Sequence, residues 1–431
     1  VPQAYKSEMS PVSHSARRDE TRAASGNAPD RSILLFFALV AVTAFLATML
    51  LVEDNLFMLF WQKLVFLLPG GDHDIHFATL GIIGGWKGRR LKTPETKGAA
   101  PSRDEIDRAV ALLDSQPNAS AGLVRLGDKK LLFSECGNAF IMYARQGRSL
   151  VALFDPVGPH DLWPDLLTRF IALARQQRCR PVFYQVSPEF LPHAFDSGLR
   201  PYKLGEQAVV DLTRFDLKGG AWLKLRRSIN RAERDGLEFA MMSAEQVPEI
   251  IDELLSVSRT WLAAHNASEK GFSLGTFDPA YVKAGPVAVI RLEGRIVAFA
   301  SILEAGQHGD AFIDLMRHIP DTHRGMMDLL FVRIMEHMKT RGFRTLNLGM
   351  APLAGLVEHR YAPLWNHVGR QVFQFGERFY NFRGVQAFKS KFDPVWQPRY
   401  LVVAGRRGMP VISLYDVTML IGGGLKGVLR R

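Results

Sequence analysis

The chain has 431 residues, 47% hydrophobic and 23% charged, which excludes global disorder and leaves room for two or three domains. Its net charge of +11 favours an anionic partner, either nucleic acid or an acidic membrane surface. Two cysteines, Cys136 and Cys179, exclude a disulfide framework and a Cys-rich metal site, and the scattered histidines lack ligand spacing, so no metal or other cofactor is expected.

Residues 1–31 are polar, rich in Ser, Ala, Arg and Pro, and read as a disordered arm. Ile33 to Val52 carries no charge and is long enough to cross a bilayer core of roughly 30 Å. The stretch 32–92 is therefore expected to be a transmembrane and membrane-proximal segment. Lys87, Arg89, Arg90, Lys92 and Lys97 follow it, and positive charge beside a span marks the cytoplasmic side. Arg17, Arg18, Arg22 and Arg31 on the other flank oppose that signal.

A polar linker covers 93–102, and the globular part begins near Arg103. A helix is expected over Asp104–Ser115, then strands near Ala121–Leu126, Lys130–Ser134, Ala139–Ala144 and Leu150–Phe154. After a Pro-Gly-Pro bend come a helix to Gln177 and strands at Pro181–Val186 and Gln207–Leu212. The element order then repeats. Helix Pro248–Ala264 precedes strands Val287–Leu292, Ile296–Ala305 and Ala311–His318, a helix after Gly325, and strand Thr345–Gly349 with a Gly-Met-Ala-Pro bend. Further strands are expected around Val372–Phe375 and Tyr400–Val403. Three strands, a helix and a strand is the order of the GNAT acyltransferase fold. The fold class is thus α+β, with tandem GNAT-like domains at 93–215 and 216–431 following an N-terminal transmembrane helix.

The stretch Phe312–Leu356 carries the most chemistry. A strand bearing Asp314 and Arg317 leads through a loop to a helix N-terminus, where unpaired N–H groups attract negative charge. Three residues apart on a strand, Asp314 and Arg317 leave opposite faces unless a bulge intervenes. The loop His323-Arg324-Gly325-Met326-Met327 has a single glycine, which hinders close approach of a pyrophosphate and argues against coenzyme A as donor. Lys224, Arg226, Arg227, Arg231 and Arg234 fall in a basic helix at 222–235, with Arg227, Arg231 and Arg234 on one face suited to a ladder of RNA phosphates.

The segments GDKKLLFS (127–134), GRSLVALFDPVGP (147–159), FYQV (183–186), KGFSLGTF (270–277), DLMRH (314–318), LGMAPLAGL (348–356), FYNFRGVQAFKSKF (379–392) and PRYL (398–401) resemble the aminoacyl-phosphatidylglycerol synthases, the multiple peptide resistance factor family. The resemblance covers roughly 103–431. It implies transfer of an amino acid, lysine first and alanine next, from aminoacyl-tRNA to a hydroxyl of phosphatidylglycerol at the cytoplasmic face of a bacterial inner membrane. The product would weaken the attraction of cationic antimicrobial peptides to that anionic surface. Family members depend on an Asp and an Arg at the DLMR-type position. Asp314 would bind the aminoacyl ammonium, while Arg317 would pair with a phosphate or position Asp314. Lys389 is a candidate for lipid phosphate or the tRNA 3′ end, with Lys391 on the same face if the segment is extended. Tyr380, Asn381 and Arg383 suit a terminal adenine or ribose. Tyr281 and Glu377 are candidates for orienting the amine or the acceptor hydroxyl, and Asp155 reads as structural. Two other classes compete: a Fem-like peptidyl transferase on a cell-wall precursor, and a non-catalytic lipid- or RNA-binding module.

Overall fold

A meander of antiparallel strands, a crossover helix and a parallel strand occur twice in succession, and that order determines the architecture. The computed structural model describes residues 100–265, 267–356, 382–404 and 410–423. The expected arm and membrane span, the strand around Val372–Phe375, and Glu377, Tyr380 and Asn381 lie outside the described residues.

Helix α1 (Arg103–Leu113) starts at a capping box, in which Ser102 Oγ accepts the Glu105 N–H and Glu105 accepts the Ser102 N–H. The strand expected at Ala121–Leu126 is instead a 3-10 segment, Ala119–Leu126. Asn118 Oδ1 accepts the Ser120 N–H at 3.0 Å, and Gly127 ends the segment at φ 66°. The small residue Gly122 lets it lie against Leu303, 3.3 Å from where a Cβ would stand.

The first pass comprises β1 (Lys130–Phe133), β2 (Phe140–Gln146), β3 (Ser149–Val157), α2 (Trp163–Gln176), β4 (Arg180–Val186), α3 (Leu191–Asp196) and β5 (Leu199–Asp211). Helix α4 (Leu223–Arg234) and an edge strand β6 (Leu237–Met242), which the sequence pattern did not announce, lead into the second pass. This contains α5 (Val247–Ala264), α6 (Pro279–Lys283), β7 (Val287–Leu292), β8 (Arg295–Glu304), β9 (Asp310–His318), α7 (Met326–Thr340), β10 (Thr345–Pro352), α8 (Phe382–Ser390) and β11 (Val395–Ala404), with α9 (Val411–Ile421) last.

All strands join one 11-stranded sheet in the order β1-β2-β3-β4-β11-β5-β10-β9-β8-β7-β6. The last strand of each half lies in the other half's territory: β11 pairs with β4, and β5 pairs with β10. Strands β5 and β11 are antiparallel neighbours at the centre, so neither half has a complete sheet without the other. Alternation of period two feeds separate apolar layers. Val151, Leu153, Val287 and Val289 enter one layer that runs beneath both halves and includes α1, α5 and α9. Leu150 and Ala152 pack with α2, while Ala288 and Ile290 pack with α7.

The parallel pairs position the site. Strand β9 pairs with β10 only over Asp310–Phe312 and Thr345–Asn347, after which the two diverge as a fork. On the β10 limb, Gly349 takes φ 83° at a register shift against β5 between Asn347 and Met350. The bend expected at Gly-Met-Ala-Pro is therefore a bulge within a strand that continues to Pro352, because pairing with β5 resumes beyond it.

Candidate active site

Asp314 and Leu315 together face a single β8 residue, Ser301: pairing shifts register between Ile302↔Ile313 and Ala300↔Met316. This β-bulge resets the side-chain alternation. Phe312 and Leu315 both enter the layer on the α5 side, whereas Ile313 and Met316 pack on the α7 side. Asp314 and Arg317 consequently share the α5 face. Ser301 Oγ accepts the Leu315 N–H at 3.1 Å, satisfying a backbone donor beside the bulge.

The Asp314 carboxylate is held from two directions. Tyr281 Oη donates to Oδ2 at 2.6 Å, and the Gly275 N–H donates to Oδ1 at 2.9 Å. Tyr281 is placed by α6, whose N-cap Asp278 accepts the Ala280 and Tyr281 N–H groups at 2.9 Å. Gly275 has no substitute here, because a Cβ would stand 1.8 Å from Asp314 Oδ2. Burial pushes the Asp314 carboxyl up from its ordinary value; the Tyr281 and Gly275 hydrogen bonds and the Lys129 and Arg317 charges oppose that rise. The Tyr281 phenol is held well above its ordinary range by burial and by the neighbouring Asp314 charge.

Arg317 lies over the Trp261 ring at 4.3 Å from its centroid and pairs with Glu269 at 3.2 Å. Trp261 stacks in turn on His265, with centroids 4.4 Å apart. The Arg317 Nε is buried without a hydrogen-bond partner among the described residues. At the fork, Lys389 Nζ donates to the Met350 carbonyl at 2.9 Å and lies 3.6 Å from where a Gly349 Cβ would stand. The Lys389 residue is half-buried by surface area, but its ammonium is deep and desolvated, which brings its pKa down to about 7. The segment carrying it is α8 rather than extended chain, so Lys389 and Lys391 part company: Lys391 pairs with Asp328 at 2.8 Å. Arg383 lies within α8.

The first turn of α7 is filled by the protein itself. Asp328 accepts from Ser228 Oγ and Lys391 Nζ at 2.8 Å each, and a Cβ on Gly325 would come within 2.8 Å of the Ser228 carbonyl. His323 bridges the Gly325 N–H, at 3.0 Å, and Asp235, at 3.1 Å. These contacts dock α4 on the turn where a pyrophosphate would otherwise meet free N–H groups. On α4 itself, Leu225, Ile229 and Ala232 face the core, leaving Lys224, Arg227, Arg231 and Arg234 exposed along one stripe. Arg226 is not on that stripe: its guanidinium holds the Leu217 and Gly219 carbonyls of the preceding loop.

A family profile, phosphatidylglycerol lysyltransferase, C-terminal, matches residues 110–403. The chain belongs to that family. The phosphatidylglycerol lysyltransferase of Bacillus subtilis is 37% identical over 329 residues, covering 76% of this chain and 38% of the relative. That of Staphylococcus epidermidis is 32% identical over 286 residues, covering 66% of this chain and 34% of the relative. The chain thus spans little more than a third of these relatives' length. Among solved structures, the C-terminal domain of an Agrobacterium fabrum protein described as a lysylphosphatidylglycerol synthetase is 49% identical with a TM-score of 0.68, covering 75% of this chain and 99% of that one. The L-PGS structure from Bacillus licheniformis is 36% identical with a TM-score of 0.65, covering 76% and 99%. The α+β, GNAT-like architecture of this phosphatidylglycerol lysyltransferase-family chain agrees with the α+β, GNAT-like part of the expected fold class.

Of the residues singled out in the sequence, Asp314, Arg317 and Tyr281 converge, and Lys389 lies at the mouth of the same fork. Several site residues went unnamed: Gly275, Trp261, Glu269 and the buried Lys129 with its exposed partner Asp128. Gly275 and Lys129 lie in family-like segments, 270–277 and 127–134, so the signal was present, but no spacing rule connects them to Asp314 across 39 or more positions.

Proposed function

We propose that this chain transfers a lysyl group from aminoacyl-tRNA to a hydroxyl of phosphatidylglycerol, alanyl being the alternative donor group. The observation that carries this reading is the half-buried Asp314, whose desolvated carboxylate is clamped by Tyr281 and the Gly275 N–H beside Arg317. A buried anion with fixed orientation is what a primary ammonium needs for recognition, and a guanidinium stacked on an indole is preorganised for a phosphate.

In this reading Asp314 takes the α-ammonium of the aminoacyl ester, and Arg317 takes a phosphodiester oxygen. The acceptor hydroxyl oxygen attacks the ester carbonyl carbon while its proton passes to the Lys389 amine, which at a pKa of about 7 is a suitable base. When the tetrahedral intermediate collapses, the bond to the ribose oxygen breaks and that oxygen takes the proton back from Lys389. The new ester remains on the lipid. The exposed Lys224–Arg227–Arg231–Arg234 stripe would meet tRNA phosphates, setting affinity rather than choice of tRNA. Tyr380, Asn381, Arg383 and Glu377 complete the proposed substrate contacts. Tandem GNAT-like units at 93–215 and 216–431, an Ile33–Val52 anchor, a cytoplasmic transferase face and lowered sensitivity to cationic peptides belong to the same proposal.

The test is lipid aminoacylation by the full chain, with charged tRNA and phosphatidylglycerol vesicles, read by thin-layer separation and identification of the amino acid. Lysyl-lipid formation by wild type and its loss in Asp314→Asn are expected. Transfer only to a peptide acceptor would move the protein to the Fem-like class. Activity undiminished in Asp314→Asn would remove Asp314 from the mechanism.

A further inference from the structure

Lys129 is only 2% exposed, although an ammonium is among the groups most costly to bury. It belongs to the first half of the chain, on the loop between the 3-10 segment and β1, and it pairs with the adjacent Asp128 carboxylate. Asp128 uses its other oxygen to accept the Phe272 N–H at 3.0 Å. Three residues further on, Gly275 donates to Asp314. The segment Phe272–Gly275, with Phe272 at φ 62°, is therefore pinned at one end by a carboxylate from the first half and at the other by the candidate catalytic carboxylate. Burial pushes the Lys129 ammonium below its ordinary value, and the Asp128 and Asp314 carboxylates both oppose that fall by attracting its charge.

We propose that Lys129 is a positioning residue of the active site, a buried cation supplied by the first half that holds Asp314 as a carboxylate ready for a primary ammonium. The proposal rests on the reading of Asp314 as the ammonium-binding group. With the carboxylates Asp128, Asp314 and Glu269 set against the cations Lys129 and Arg317, the cluster carries one net negative charge, which a substrate ammonium neutralises. Without Lys129, the Asp314 carboxylate loses an attracting cation while the exposed Asp128 anion remains, so Asp314 takes up a proton more readily and the attraction is lost. The groups acting on Asp314 are Tyr281 from α6, Lys129 from the β1 loop and Arg317 from β9; Asp128 and Arg125 act on Tyr281. Lys129 is the one of these that comes from the first half and carries a charge onto Asp314. It gives a physical reason why the site needs both halves.

The test follows the Asp314 titration in the full chain by pH-difference infrared spectroscopy against Asp314→Asn, together with binding of lysine methyl ester. Lys129→Met is expected to move the Asp314 midpoint up by about one pH unit and to weaken ester binding near neutrality roughly tenfold. Asp128→Asn, which leaves Lys129 acting on Asp314 alone, is expected to move the midpoint down. The double variant Asp128→Asn/Lys129→Met restores the charge balance and is expected to bring midpoint and affinity back towards wild type. Unmoved midpoints, or a double variant as impaired as Lys129→Met alone, would overturn the proposal in favour of plain packing. Equal ester binding by wild type and Asp314→Asn would instead sink the ammonium reading, with Lys129 still judged by the titration midpoints.

Discussion

Asp314 and Arg317 project from the same face of β9 although they are three positions apart, because the bulge opposite Ser301 inserts one extra position between them. Their relative placement is therefore a property of the β8–β9 register and not of either side chain. An ordinary ladder would put one of the two on the α7 side, away from Trp261 and Tyr281.

The Ser301 hydroxyl holds this arrangement by accepting the Leu315 N–H. Ser301→Ala should leave that buried donor unsatisfied at a cost of about 1–3 kcal/mol. The expected outcome is a lower midpoint in urea unfolding together with a fall in kcat larger than the change in KM. Unchanged stability would show that the bulge does not need the hydroxyl.

Gly275→Ala tests the roof over Asp314. The added methyl would stand 1.8 Å from Oδ2, so the loop must retreat and the N–H bond to Oδ1 must break. Aminoacyl transfer should fall at least about a hundredfold, as a displacement near 1 Å can do, while far-ultraviolet circular dichroism stays at wild type. Wild-type activity in this variant would show that the Gly275 donor is dispensable.

The sequence made the second-half elements legible because β7, β8, β9 and α7 are long, strongly patterned and bounded by turns. It made the element repeat legible too. It did not reveal that β5 and β11 exchange places at the centre, since a strand's partner is set by tertiary contacts that its own pattern does not encode. The 3-10 segment at Ala119–Leu126 was misread because a run of small and apolar residues looks the same flat against Leu303 as in a strand. Asp314, Arg317 and Tyr281 were identifiable one by one, whereas their convergence depends on the bulge and on the Gly275 loop. Lys129 was hidden by its own charge: a lysine in a polar turn reads as solvated until its burial is seen.

Asp310 should govern part of the pH dependence of stability. Burial pushes its carboxyl up to about 7, against the Thr345 hydroxyl and Ala119 N–H bonds that oppose the rise. The native state then holds a proton between the ordinary aspartate range and about pH 7 that the unfolded state has released. Stability from this group is greatest at low pH and is lost as pH rises towards 7, with a slope of up to about 1.4 kcal/mol per pH unit. Asp310→Asn should flatten that slope in denaturant titrations from acid to neutral pH. A slope equal to wild type would rule Asp310 out as its source.

The α4 stripe separates two kinds of arginine. Arg227→Glu/Arg231→Glu reverses exposed charges and should raise KM for aminoacyl-tRNA and lower the salt dependence of binding by about two phosphate equivalents, leaving thermal stability nearly unchanged. Arg226→Ala should do the opposite, since it releases the Leu217 and Gly219 carbonyls. A drop in stability with unaltered tRNA affinity is expected there. An unchanged salt slope in the double reversal would take the stripe out of RNA binding.

Lys389 makes the most direct link between burial and rate. Its amine is desolvated without a carboxylate partner among the described residues, so its pKa falls to about 7 and the free base appears across neutrality. If the amine accepts the proton of the attacking hydroxyl, kcat/KM should climb about tenfold per unit below that pKa and level off above about pH 8. Lys389→Met should remove the limb as well as most of the rate. Stability supplies an independent sign. Between about 7 and the ordinary lysine value the unfolded chain holds a proton that the native state has lost, so this group favours folding more as pH rises through that window. The same Met variant should flatten the rise and, at about pH 6, be more stable than wild type, because no charge need be buried. A flat rate profile in wild type, with Lys389→Met showing the expected stability change, would confine the lysine to phosphate or tRNA contact and leave the base to be found elsewhere in the fork.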